Sequence, residues 1–185
     1  MITGHEDGQI RFWHLTMTSM KSLLRIRTSK LFEKDSINNF DFDEPLAVML
    51  IEICLHTRTF VISAAAGHLI IYTFDVEAIS RPAKIVTVST DLMIDLSGSF
   101  DDNDDSGMEE KSVLKLRSNS LQNPGFQAVS VIFAVEGDDE PSNICALSIN
   151  TNWGICVVGT ANGIIVIDYI QDKKILAMST MDLLR

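Results

Sequence analysis

A chain of 185 residues holds roughly one domain of ordinary size, and 46% hydrophobic residues argue for a packed core and against global disorder. With 15 Lys+Arg against 25 Asp+Glu the net charge is -10, which disfavours docking on nucleic acid or anionic lipid because both repel an acidic surface. The cations that come closest to a basic patch, Lys21, Arg25, Arg27, Lys30 and Lys34, are spread among apolar residues.

Taken in chain order, the first residues, Met1-Ile2-Thr3-Gly4-His5-Glu6-Asp7, lack the basic and apolar regions of a secretory signal. Gln9-Ile10-Arg11-Phe12-Trp13-His14 alternates with a period of two and predicts a strand. Residues 28–45 mix Leu31 and Phe32 with charged and turn residues, as an ordered loop or a short helix would. Residues 47–53 and 59–63 predict a buried strand pair, and Leu69-Ile70-Ile71-Tyr72-Thr73-Phe74 follows a small-residue turn, Ala65-Ala66-Gly67-His68. Residues 83–89 supply a further strand.

Between residues 91 and 110, eight acidic residues occur without one Lys or Arg, which predicts a disordered acidic surface loop because like charges at this density repel. Residues 113–117 and 127–135 resume strand-like runs around Asn123-Pro124-Gly125. Strands at residues 144–149, 154–158 and 164–169 then repeat the earlier arrangement around Thr160-Ala161-Asn162-Gly163, and residues 174–179 supply a last one. The apolar run over residues 154–170 holds Asn162, Asp168 and a turn, so it falls short of the ~20 uninterrupted residues of a spanning helix. These features predict a soluble, cytoplasmic chain with no direct membrane insertion. Cys54, Cys145 and Cys156 sit in apolar runs without CxxC spacing and are expected to be buried free thiols.

Stacked on one another, residues 3–13, 63–74 and 158–168 form an internal repeat of strand, tight turn and strand. Gly8, Gly67 and Gly163 are its corners. Asp-Gly and Asn-Gly there suggest type I′ turns, so these glycines are structural hairpin devices and not phosphate binders. Four antiparallel strands with the tightest turn between the middle two make the blade of a β-propeller. The fold expected is all-β: a partial WD40-type β-propeller of roughly two full blades plus an incomplete N-terminal blade, with an acidic disordered insert. The divisions expected are 1–30 for the end of the incomplete blade, 31–90 for a blade with an inserted linker, 91–112 for the acidic loop, and 113–185 for a blade region with C-terminal strands. Intervals between the turn glycines exceed the roughly 40–45 residues of a plain repeat, so the linkers carry inserted material.

The search for chemistry identifies no catalytic, cofactor or metal site. His5-Glu6-Asp7 are consecutive in a tight turn and diverge, with no second ligand cluster. The EF-hand-like opening at Asp102, Asp104 and Ser106 has Val113 where a bidentate Glu belongs. Residues 159–163 lack the Lys and Ser/Thr of a phosphate loop, and no pattern ties a serine to His5, His14, His56 or His68. The expectation is a non-enzymatic protein. Ser99 and Ser106 each precede an acidic residue by three positions, Asp102 and Glu109, and are candidate phosphorylation sites for acid-directed kinases.

With those residues in view, Thr3-Gly4-His5-Glu6-Asp7-Gly8-Gln9-Ile10-Arg11-Phe12-Trp13 resembles a blade segment of the lethal giant larvae family of WD-repeat proteins. Thr28-Ser29-Lys30-Leu31-Phe32-Glu33-Lys34 looks more like the tomosyn branch, as do residues 144–149, Asn152-Trp153-Gly154-Ile155-Cys156-Val157-Val158-Gly159, residues 165–171 and Met181-Asp182-Leu183-Leu184-Arg185. Asn123-Pro124-Gly125-Phe126-Gln127-Ala128 is similar to a family stretch that follows a variable insert. The resemblance implies a regulator of SNARE-dependent exocytosis that binds syntaxin and other SNARE proteins, cytoplasmic with peripheral plasma-membrane association. The alternatives are a lethal giant larvae-type cell-polarity scaffold and a GTPase-stimulating factor. Trp13-His14 departs from the Trp-Asp ending of a standard repeat, and no heptads of an R-SNARE helix occur. The chain is expected to be a piece from the middle of a propeller region.

Overall fold

Two-residue alternation becomes strand pairing throughout the computed structural model, which describes residues 1–39, 44–80, 82–89, 114–118, 121–136, 140–141 and 143–180. The strands, in chain order, are β1 (Ile2–Gly4), β2 (Gln9–Leu15), β3 (Met20–Arg27), β4 (Val48–Cys54), β5 (Thr59–Ala64), β6 (His68–Asp75), β7 (Lys84–Ser89), β8 (Gly125–Glu136), β9 (Glu140–Pro141), β10 (Ile144–Asn150), β11 (Ile155–Thr160), β12 (Gly163–Asp168) and β13 (Lys173–Ser179). Between β3 and β4 the chain makes a 3-10 turn, Thr28–Lys30, and a short helix, α1 (Lys34–Asn38), so the linker over residues 28–45 uses both local solutions. Among the described residues no helix is long and apolar enough to cross a membrane.

Three sheets result, ordered β1-β2-β3, β4-β5-β6-β8-β7 with β9 paired to β8, and β10-β11-β12-β13. They stack face to face with the second in the middle. On one side Ile10 of β2, Phe60 and Ile62 of β5, Ile70 and Tyr72 of β6, and Val131 and Phe133 of β8 form a core with Leu31, Phe32 and Leu114. On the other, Val61, Leu69, Ile71, Val86 and Ile132 meet Ile144, Cys156, Val158, Ile165 and Ile167 of the third sheet. The chain is all-β, consistent with part of a WD40-type propeller whose blades are these sheets. The leading strands of the blades converge: the β4 amide of Val48 donates to the His5 carbonyl at 3.1 Å, and the turn residue Thr151 reaches Cys54 at the end of β4.

One strand differs from expectation. The run over residues 83–89 does form β7, but it is not the fourth strand of the central blade. That position, antiparallel to β6, belongs to β8, and β7 lies outside β8 and parallel to it. The middle sheet is covered on both faces, so a strand within it must be apolar on both sides. In β8, Ala128, Val131 and Phe133 enter one core while Ile132 and Ala134 enter the other. In β7 Val86 and Val88 are buried while Lys84, Ile85 and Thr87 are exposed, the alternation of an edge strand. The central sheet therefore joins segments on both sides of the acidic insert, across the divisions 31–90 and 113–185. Residues 114–117 make no strand; Leu116 bridges Phe32 in a single pair.

The hairpin corners also differ in detail. Gly8 and Gly67 have φ of 71 and 65°, but Asp7 and Ala66, immediately before them, do not have positive φ. Their amides donate to the His5 and Ala64 carbonyls at 3.1 and 3.0 Å, which makes each corner a type I turn closed by a left-handed glycine. Gly163 keeps its corner without positive φ; there Thr160 Oγ1 accepts from the amides of Asn162 and Gly163, both at 3.3 Å. Gly8 is also crowded, because a Cβ would lie 2.5 Å from Thr28 Oγ1 and 3.0 Å from the Leu46 carbonyl oxygen. Gly8→Ala is expected to lower stability by at least about 2 kcal/mol, since left-handed strain and steric overlap add. A urea melt checks this, and an unchanged midpoint would show that the corner accepts a side chain.

Candidate functional site

The cations that look scattered in sequence converge in space. A cleft of about 270 Å³ runs along β3 and is lined by Arg25, Arg27 and Lys30 on one wall and by residues 121–126 on the other. Arg25 and Arg27 fall on one face of β3 because they are two apart in a strand. The 3-10 turn that follows, closed by Leu31 N donating to the Thr28 carbonyl at 2.9 Å, brings Lys30 to the same wall. The three cations are exposed and make no ion pair with a described residue.

Two glutamines build the opposite wall. Gln122 exchanges backbone bonds with Ile79 at 2.9 and 3.0 Å. Its side chain donates to the Ala128 carbonyl at 2.9 Å and accepts from the Ala128 amide at 2.7 Å, filling the bulge where β8 shifts register against β6. Buried Gln127 donates to the Glu77 carbonyl at 2.6 Å and the Asn123 carbonyl at 3.1 Å, tying the wall to the loop after β6. Tyr72, 2% exposed, also lines the cleft, and its hydroxyl has no hydrogen-bond partner. Burial raises its pKa well above the ordinary phenol value. Leu24, Ile26, Leu31, Leu121 and Phe126 supply apolar surface.

Elsewhere the structure separates the residues singled out in sequence. His5 turns toward Thr3, whose Oγ1 lies 3.0 Å from His5 Nε2 and accepts from the Trp13 indole at 2.8 Å, so Trp13 ties β2 to β1 although His14 follows it. Asp7 caps its own turn by accepting from the Gln9 amide at 3.1 Å. His14 and His56 are exposed on separate elements, and His68 is buried. Among the described residues no group of three or more His, Cys, Asp or Glu side chains is placed to hold a metal ion. Ser99, Ser106 and the acidic insert lie outside the described residues.

The thiols need correction. All three cysteines are free, but only Cys156 is buried, where loss of solvation pushes its pKa up to about 12. Cys145 is exposed. Cys54 is half-buried where β4 meets the third sheet, and the Thr151 hydroxyl donates to its Sγ at 3.1 Å. That bond, with help from Thr57, lowers its pKa to about 6. Thr151 is remote from Cys54 in sequence, so nothing local signals the contact.

No family model matches the chain. It is similar to Lethal(2) giant larvae protein homolog 1 of Homo sapiens, 24% identical over 204 residues that cover 98% of this chain and 18% of that protein. The Lethal(2) giant larvae proteins of Drosophila pseudoobscura pseudoobscura and Drosophila melanogaster are each 24% identical, over 91% of this chain and 16% of theirs. The chain thus spans less than a fifth of the length of the curated relatives it matches.

Proposed function

We propose that this chain is a non-enzymatic protein-binding module of a lethal giant larvae-like WD-repeat protein, and that it acts in SNARE-dependent exocytosis by engaging syntaxin. The observation that carries the binding role is the cleft, whose cationic and apolar walls are held by strands packed through a continuous core. Rigid walls keep the ordering cost of association low. The tomosyn-like segments around Lys30, Trp153 and Asp168 support syntaxin as the partner, with work in the cytoplasm and at the plasma-membrane periphery. A second reading, a lethal giant larvae-type cell-polarity scaffold, fits the names of the relatives equally well.

Capture on an immobilised syntaxin cytosolic segment tests the proposal. The chain is expected to be retained there and not on an unrelated helical protein of equal net charge. Loss on both surfaces would reject syntaxin, and capture instead by cortical kinases or myosin would decide for the scaffold.

A further inference from the structure

The cleft borders a strand with an open side. Among the described residues β3 is hydrogen-bonded to β2 alone, so its other edge presents unpaired N–H and C=O groups. Leu24, Arg25, Ile26 and Arg27, whose side chains alternate between the two faces of β3, all line the cleft, which places it along that edge. The lining residues include no carboxylate, against an excess of Asp and Glu in the whole chain. Tyr72, itself buried, underlies the same cleft, so the charge and the open strand edge sit on a firm floor.

We infer that the cleft receives an acidic, extended segment of a partner protein, which adds as a strand to β3 and sets its carboxylates against Arg25, Arg27 and Lys30. This deepens the protein-binding reading and rests on it. Main-chain pairing supplies affinity in strand addition, and alternate side chains supply selectivity. Glu at every second position matches the spacing of Arg25 and Arg27, and the residues between them meet Leu24 and Ile26. A flat anionic membrane fits less well, because it would face the whole acidic surface, whereas a single strand concentrates its charge along the cleft.

The test is fluorescence anisotropy of the full chain with labelled, end-capped peptides of about eight residues, alternating Glu-Val, Gln-Val or Glu-Pro. The Glu-Val peptide is expected to bind at least about tenfold tighter than Gln-Val, which lacks the charge, and than Glu-Pro, which keeps the charge but loses half its amide donors. Arg25→Glu combined with Arg27→Glu changes exposed side chains, is expected to leave the urea midpoint unchanged, and should weaken Glu-Val binding by at least about tenfold. Equal binding of Glu-Val and Glu-Pro, no effect of the charge reversals, no binding of Glu-Val, or preferential binding to phosphatidylserine vesicles would each overturn the inference. Retention on syntaxin together with failure of the peptide would remove this inference and leave the proposed function standing. Loss of both would remove both.

Discussion

Phe60→Ala is expected to destabilise the fold by about 3–5 kcal/mol, the usual consequence of emptying a fully buried aromatic site. Phe60 is at 0% exposure on β5, stacked on Tyr72 of the same sheet with ring centroids 4.7 Å apart. Its edge contacts join Phe126 of β8 at 5.0 Å and Phe12 of β2 at 5.7 Å, and Phe12 stacks in turn on Phe126 at 5.0 Å. Phe60 and Phe126 of the central sheet therefore clasp Phe12 of the first blade between them, and the cavity left by alanine at Phe60 lies between rigid sheets that cannot collapse into it. Against a total stability of about 5–15 kcal/mol such a loss leaves a marginal fold. Urea unfolding followed by Trp fluorescence measures it, since Trp13 sits in the first blade and Trp153 in the third. The comparison is Phe74→Ala, at the rim of the same cluster, 5.4 Å from Phe126 and half-open to solvent beneath Arg58, where about 1 kcal/mol is expected. Equal effects at the two positions would mean that the cluster does not join the blades.

His68 makes the stability depend on pH. Its imidazole is fully buried, edge-on to Phe32 at 5.4 Å and tilted against Phe133 at 5.9 Å. Burial lowers its pKa to about 4 from the ordinary 6.5, while the Ala66 backbone pulls the other way and is outweighed. No hydrogen bond to either ring nitrogen has ordinary geometry, which is why burial dominates. The folded-state pKa is depressed, so between about 4 and 6.5 the unfolded chain binds the extra proton. The contribution is complete above about pH 7 and is lost as pH falls, reaching about 3 kcal/mol below pH 4. Between pH 7 and pH 5 the loss is about 2 kcal/mol. His68→Leu, close in volume and not titratable, is expected to remove that part of the pH dependence while keeping the neutral-pH fold. Parallel melts of the two proteins at both pH values check it. Equal slopes would show that the ring is solvated or paired in the native state.

The amino-acid sequence by itself determined the strands, because alternation and β-branched runs act through neighbouring residues, and it determined where the chain turns, because Gly8 and Gly67 relieve a local backbone constraint. Even the neighbour of β6 was partly written there: residues 128–134 are apolar on both faces and residues 84–89 on one. Only the tertiary structure decided that β8 enters the blade across the acidic insert, since the cost of closing a loop grows slowly with its length and burial of two faces outweighs it. It alone made a site of Arg25, Arg27, Lys30 and Tyr72, which come from different elements and meet only when β3 packs beside residues 121–126. The same holds for Cys54 with Thr151 and for His68 with Phe32. The physical reason is one: pairing and turn formation are settled over a few residues, whereas desolvation and charge convergence depend on which distant segments share a volume.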